Sequence, residues 1–115
     1  MTPFDKDNFV RTLEYLAQEI HSTAVEKGWY EKERNDFEML ALVHSEVSEI
    51  TEALRTGNQA SEKIPNYSQA EEEAADVIIR LLDQGHKNDW NVGGAVLAKM
   101  AYNKTRPYRH GGKIA

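Results

Sequence analysis

The sequence predicts an all-α protein, a helical bundle of about four to five helices forming a single domain over residues 1–115. Three observations predict it. Apolar residues recur at helical spacing in four successive segments. The segments open on capping residues, Thr2, Asn35, Ser68 and Asn91. The chain also has only three prolines and seven glycines, so few long loops are expected.

The first helix starts at Thr2-Pro3-Phe4-Asp5, with Thr2 as cap, Pro3 at the first helical position and Asp5 near the positive helix end. Phe9, Leu13, Leu16, Ile20 and Ala24 then form one narrow apolar stripe, and Gly28 stops the helix. His21 lies beside that stripe, where a partly exposed or hydrogen-bonding core-edge histidine is the plain reading. Gly28 to Arg34 is a connection. Its adjacent aromatics, Trp29 and Tyr30, suit either an anchor on the core or a stacking face for a base.

The second helix starts at Asn35 or Asp36 and runs to about Thr56, where Gly57-Asn58 ends it. With Leu42 at the centre of its wheel, Met39, Val43, Glu46, Glu49, Ile50 and Ala53 fall within about 100° on one side. Glu46 therefore sits in the middle of an apolar face and Glu49 near its edge. Glu38, Ser45, Ser48, Glu52 and Arg55 occupy the opposite side. Gly57 to Tyr67 has no period and reads as a loop of functional or mobile character.

Ser68-Gln69-Ala70-Glu71 is a capping-box pattern that starts the third helix. Apolar residues cover well over half of its wheel. The remaining narrow wedge holds Gln69, Glu73, Asp76, Arg80, Asp83 and Gln84, which suggests burial among partners. Asp83, two turns beyond Asp76, points the same way and suits an outer support for it. Gly85 to Trp90 reads as a break. A fourth helix follows from Asn91 through about Arg106, stopped near Pro107, with Val92, Val96 and Met100 as its core stripe. Lys99, Asn103 and Arg106 share a face of it. They suit a phosphate chain, and equally a solvated basic face near a helix C-terminus.

Composition bounds the function. At 40% hydrophobic and 29% charged residues the chain is an ordinary soluble globular one, not a disordered one. It has no cysteine, which excludes disulfides and thiolate metal sites and favours a cytoplasmic setting. No apolar run approaches a membrane span and no signal peptide opens the chain. A net charge of −5 argues against nucleic acid as a partner. No acidic residue follows Asp89, whereas Lys99, Lys104, Arg106, Arg109 and Lys113 lie beyond it. An acidic body with a basic terminal segment can serve a metal and an anion together. The chain carries no phosphate-cradling Gly-rich loop, no Rossmann glycine pattern and no nucleophile arrangement.

Glu46-Val47-Ser48-Glu49 and Glu73-Ala74-Ala75-Asp76 carry the chemistry. Carboxylates three residues apart project from one helix face and can grip one cation. Hard oxygen ligands in this number suit Mg²⁺, with Mn²⁺ as the alternative. Like charges so placed weaken a bare helix, and a cation offsets them.

The two pairs in this order, with the closing basic segment, resemble the signature of the all-alpha nucleoside triphosphate pyrophosphohydrolases, the MazG-like group. Leu42 to Glu49 with Glu52-Ala53-Leu54-Arg55 is similar to that family's second helix. Glu72 to Asp83 is similar to its third, and Lys99 to Lys113 to its terminal motif. The resemblance covers most of the chain. It implies cleavage of an NTP or dNTP between the α and β phosphates, giving a monophosphate and pyrophosphate, and a bundle that dimerises through helices into a homodimer or homotetramer. It implies Glu46, Glu49, Glu73 and Asp76 as catalytic Mg²⁺ ligands and Lys99, Asn103 and Arg106 as phosphate or sugar contacts. His21 and Trp29 fall near the base-recognising positions of relatives. Some relatives carry a carboxylate where this chain has Ser45, which leaves Glu49 and Glu72 as candidates for activating the water. Two readings compete: phosphoribosyl-ATP pyrophosphohydrolase or dUTPase-like activity in the same fold, and a non-catalytic helical interaction module.

Overall fold

In the computed structural model the described residues are 1–108, so Arg109, His110, Gly111, Gly112 and Lys113 of the terminal motif lie outside them. Among the described residues four helices follow one another: α1 Pro3–Glu26, α2 Asp36–Arg55, α3 Gln69–Lys87 and α4 Val92–Lys104. Among the described residues there is no strand beyond an isolated bridge between Ala60 and Ser68. No helix of these residues is long and apolar enough to cross a membrane.

The helix starts follow the capping chemistry. The Thr2 hydroxyl accepts from the Asp5 N–H at 3.1 Å, and Asp5 accepts from the Thr2 N–H at 3.0 Å. That pairing holds the Asp5 carboxyl below its ordinary range. Asn35 caps α2 through the Glu38 N–H, and Ser68 and Glu71 form the capping box of α3. Asn91 caps α4 through the Gly94 N–H. Gly28 and Gly57 adopt φ of +85° and +93°, left-handed values that end α1 and α2 cheaply only with glycine.

The break expected at Gly85 is absent, because α3 continues through it to Lys87. Gly85 is buried, and a Cβ on it would lie 3.0 Å from Val92 Cγ2. The glycine clears space for the start of α4 rather than ending α3. The stop comes at Asn88 and Asp89, the latter at φ 57°. At the far end α4 finishes at Lys104 rather than near Arg106, with Thr105 as its cap.

Packing is most extensive between α2 and α3, then between α1 and α3, while α4 lies against α1. The apolar core is small: Ala17, Met39, Val43, Ala53 and Leu82. The Val92–Val96–Met100 stripe does not join it, since Val96 is 38% and Met100 49% exposed. The buried residue of α4 is instead Gly93, where a Cβ would meet the Val10 backbone and the Leu13 side chain, each at 3.3 Å. Backbone proximity, not side-chain volume, seats this helix on α1.

Polar ties complete the interior. Asp36, at the start of α2, accepts from Gln84, Lys87 and Asn88 at the end of α3. Hydrogen bonds from Asn88 and Gln84 hold the Asp36 carboxyl low. The buried Asp83 binds His21 Nδ1 at 2.8 Å and accepts from the Tyr30 hydroxyl at 2.7 Å, joining α1 and its connection to α3. Burial, with the hydrogen bond and charge of Asp83 behind it, pushes the Tyr30 phenol well above its ordinary range. His21 is thus the half-buried hydrogen bonder of the plain reading, its ring against Tyr30 and His86. Asp83→Ala strands both donors, so chemical denaturation is expected to show a loss of about 1–3 kcal/mol with the helical circular-dichroism signal of the folded protein retained.

Candidate metal centre

The seam between α2 and α3 gathers the acids. One carboxylate oxygen each of Glu46, Glu73 and Asp76 lies within 4.8 Å of the others, and all three residues are half-buried. Glu73 and Asp76 stand three apart on α3, so the helix alone puts them side by side. Glu46 meets them from α2 because Met39, Val43 and Ala53 bury the same side of that helix.

The charges crowd one another. The Glu73 carboxyl is pushed up to about 7, first by burial, then by a hydrogen bond with Glu46 and the charges of Asp76, Glu46 and Glu72. Asp76 is raised as well, by burial and by Glu46 and Glu72, against the opposing pull of Lys63 and Arg80. Three hard oxygens in mutual repulsion are the donor set that a small divalent cation stabilises. These residues fit a metal ion and can hold one.

Two residues that the sequence reading did not assign to the site support it. Arg80, one turn beyond Asp76, donates from Nε to Glu46 Oε1 at 3.1 Å. Ser61, only 2% exposed, donates to Glu72 while its oxygen accepts from the Lys63 and Ile64 N–H groups. One hydroxyl thereby folds the loop back on itself and fixes Glu72 beside Glu73. The loop is further closed by Ser61 N–H to Tyr67 C=O and Gln69 N–H to Gln59 C=O, both 2.8 Å. Arg80 had a signal in the sequence, as the lone cation of the polar wedge spaced four from Asp76. Ser61 had none, since it sits in an aperiodic loop.

The other expected site residues are distributed as follows. Glu49 is exposed and lies outside the three-acid cluster. It lines an adjoining cavity of about 320 Å³ with Glu52, Glu62, Lys63, Glu72 and Glu73. Trp29 sits against two guanidiniums, Arg34 at 4.0 Å and Arg80 at 5.4 Å from its ring centre. It is therefore one residue, Arg80, away from Glu46. Lys99 and Asn103 line a mainly apolar groove with Trp90, Val96 and Met100, and Lys99 Nζ stands 4.6 Å over the Tyr102 ring. Neither lines the acidic cavity, and Arg106 is half-buried beyond the end of α4. Asp83 does not support Asp76. It lies roughly 10 Å further along the helix axis, and His21 and Tyr30 take its two oxygens.

Comparison with models of known protein families, with curated proteins and with solved structures finds no match for this chain.

A carboxyl whose pKa rises on folding holds its proton more tightly in the folded chain than in the unfolded one. Between the ordinary Glu value of 4.5 and about 7, folded Glu73 binds more protons than unfolded Glu73, so its contribution to stability falls as pH rises through that window. In chelator, the Tm of the wild-type protein is expected to fall relative to Glu73→Gln between about pH 5 and about pH 8. Added Mg²⁺ or Mn²⁺ binds the ionised form, so it should raise the wild-type Tm more at the upper pH than at the lower.

Proposed function

We propose that this chain is a Mg²⁺-dependent nucleoside triphosphate pyrophosphohydrolase of the MazG-like kind, with Mn²⁺ as the alternative ion. The observation that carries the reading is the convergence of Glu46, Glu73 and Asp76 from two helices on one point. Structural carboxylates are ordinarily separated or matched one to one by cations, whereas here three converge and one guanidinium, that of Arg80, hydrogen-bonds to them, through Glu46.

In this reading Glu46, Glu73 and Asp76 bind the ion. Glu49, one turn beyond Glu46 and sharing a cavity with Glu73, is the fourth ligand. A divalent ion at this position supplies charge neutralisation to phosphate oxygens and lowers the pKa of an attacking water. Arg80 holds Glu46 by Oε1 and so orients its carboxylate beside Glu73 and Asp76, where the three would hold the ion. Ser61 holds Glu72 in the same manner at the cavity edge. Trp29 offers the base a stacking face, and His21, tied through Nδ1 to Asp83, offers its edge. The products are a nucleoside monophosphate and pyrophosphate.

The reading includes a homo-oligomer, dimer or tetramer. The chain leaves much apolar surface uncovered. Leu40, Val47 and Leu54 recur every seventh residue on α2 at 37%, 46% and 60% exposure, and Ile78 and Ile79 on α3 are 54% and 44% exposed. The Cα radius of gyration is 16.7 Å, against roughly 13 Å for a compact domain of about this length. A second copy that covers these helices supplies the missing interior. Lys99, Asn103 and Arg106 bind phosphate or sugar within that assembly.

Glu46→Gln and Asp76→Asn should each lower Mg²⁺-dependent pyrophosphate release by more than the roughly 10–100-fold that loss of a mere ligand-supporting group costs, with the circular-dichroism spectrum unchanged. Product identification should return monophosphate and pyrophosphate; full turnover by either variant, or diphosphate and phosphate as products, would sink the reading. Leu54→Glu combined with Ile78→Glu should reduce the sedimentation mass from that of an oligomer to that of one 13.1 kDa chain, and a wild-type protein already sedimenting as one chain would refute the oligomer.

A further inference from the structure

We infer that Arg80 is a substrate-binding residue, the group that grips the phosphate next to the nucleoside; this deepens the hydrolase reading and rests on it. The inference starts from where its guanidinium lies. Nε donates to Glu46 Oε1 at 3.1 Å, and Cζ stands 5.4 Å from the centre of the Trp29 ring. Arg80 therefore bridges the acid cluster and the aromatic face. A nucleotide with its phosphates at the cluster and its base on Trp29 must pass this side chain.

The guanidinium is also unsaturated. An arginine carries five N–H donors in a planar fork. Among the described residues only Nε forms a hydrogen bond, so the Nη groups have donors to spare. The side chain is 31% exposed and reachable by a ligand. A phosphate with two free oxygens matches such a fork, because paired N–H···O bonds give both charge and direction.

The neighbouring cations are placed differently. Arg34 lies nearer to Trp29, but its Nε is engaged with the Trp29 carbonyl at 2.9 Å, so it fastens its own connection. Lys63 belongs to the loop on the other flank, in the cavity with Glu49 and Glu72. Lys99 leans on Tyr102 in the groove of α4. Arg80 alone of these touches both the acids and the aromatic ring. Its position is set by α3, one turn from Asp76, so a rigid helix rather than a loop aims it.

The test uses the full chain carrying Trp90→Phe, which leaves Trp29 as its one tryptophan. The probes are the deoxynucleoside monophosphates and the matching deoxynucleosides, titrated with Mg²⁺ present and no turnover. Affinity is read by calorimetry and site occupancy by Trp29 emission, and Mg²⁺ affinity is measured separately by Tm shift. Arg80→Lys keeps a positive charge beside Glu46 but loses the fork, and Arg80→Gln loses both. Both variants are expected to weaken monophosphate binding about ten-fold or more, while deoxynucleoside binding stays within about two-fold. Arg80→Lys is further expected to keep its Mg²⁺ affinity. Monophosphate binding equal to wild type in either folded variant overturns the inference. So does full rescue by lysine, or an equal loss for monophosphate and deoxynucleoside, because Arg80 would then serve Glu46 alone. A wild-type protein that binds and cleaves no nucleotide at all overturns the hydrolase reading and this inference together, a result distinct from the others.

Discussion

Three acids of like charge held in one seam are the constraint on which the rest of this structure turns. Glu46, Glu73 and Asp76 repel one another, and burial adds to the strain by withholding water. Left to themselves they would push α2 away from α3. The surrounding contacts oppose that separation at both ends of the seam. At one end, Asp36 is gripped by Gln84, Lys87 and Asn88. At the other, the 57–67 loop is buttoned to α3 by Ser61 on Glu72 and by Asn58 on the Ala70 N–H. Between them Arg80 neutralises part of the charge from within. Stability and site geometry are one problem here, since whatever holds the helices together also sets the distance between the oxygens.

This arrangement explains an inverted helix. The polar wedge of α3 faces inward, and each of its members is engaged there. Gln69 lines the acidic cavity, Glu73 and Asp76 meet Glu46, Arg80 binds Glu46, Asp83 binds His21 and Tyr30, and Gln84 binds Asp36. Part of the apolar arc points outward instead, with Ile78, Ile79 and Leu81 all exposed. An amphipathic helix that buries its polar side inside one chain leaves little of that interior for apolar packing. The hydrophobic effect that stabilises an ordinary domain of this length has correspondingly little to act on inside this one. Among the described residues five buried apolar side chains, two of them alanine, are few to hold four helices.

Much of this was legible in the sequence, for identifiable reasons. Helix starts were readable because capping is local: Thr2, Asn35, Ser68 and Asn91 each act on the N–H group three residues away. The acid cluster was readable because helical periodicity put Glu46 among apolar neighbours and set Glu73 and Asp76 in a narrow wedge. Gly85 was misleading because glycine ends a helix by its φ and admits a neighbour by its missing Cβ, and sequence does not distinguish the two uses. The α4 stripe was misleading because seating by a glycine leaves no apolar signal on the packing face, so Val96 and Met100 of the visible stripe face away while only Val92 packs, against Gly85. Asp83 shared the direction of Asp76 but not its height, since periodicity reports angle around the axis and says nothing of a partner supplied by another helix. Ser61 depends on a loop closing on itself, and Arg80's contacts on the relative placement of α2, α3 and Trp29. These are tertiary facts with no local trace.

The order of groups along α3 follows from the same geometry. Asp76, Arg80 and Asp83 stand at i, i+4 and i+7, so they share a face and ascend it in roughly 5 Å steps. Each step has a different chemistry: an acid in a cation-seeking cluster, a guanidinium beside an indole, and an acid that orients an imidazole. A ligand lying along this face would meet an acid cluster that can hold a metal ion, a guanidinium fork and an aromatic, hydrogen-bonding end in that sequence. Such polarity is unneeded by a helix whose only task is packing, for which any apolar residue would be less costly than a buried acid. In the proposed reading it suits a rod-shaped substrate, charged at one end and aromatic at the other. The helix is a ruler because its rise per residue is fixed, and the spacing of unlike groups on it sets what length of molecule can satisfy all three at once.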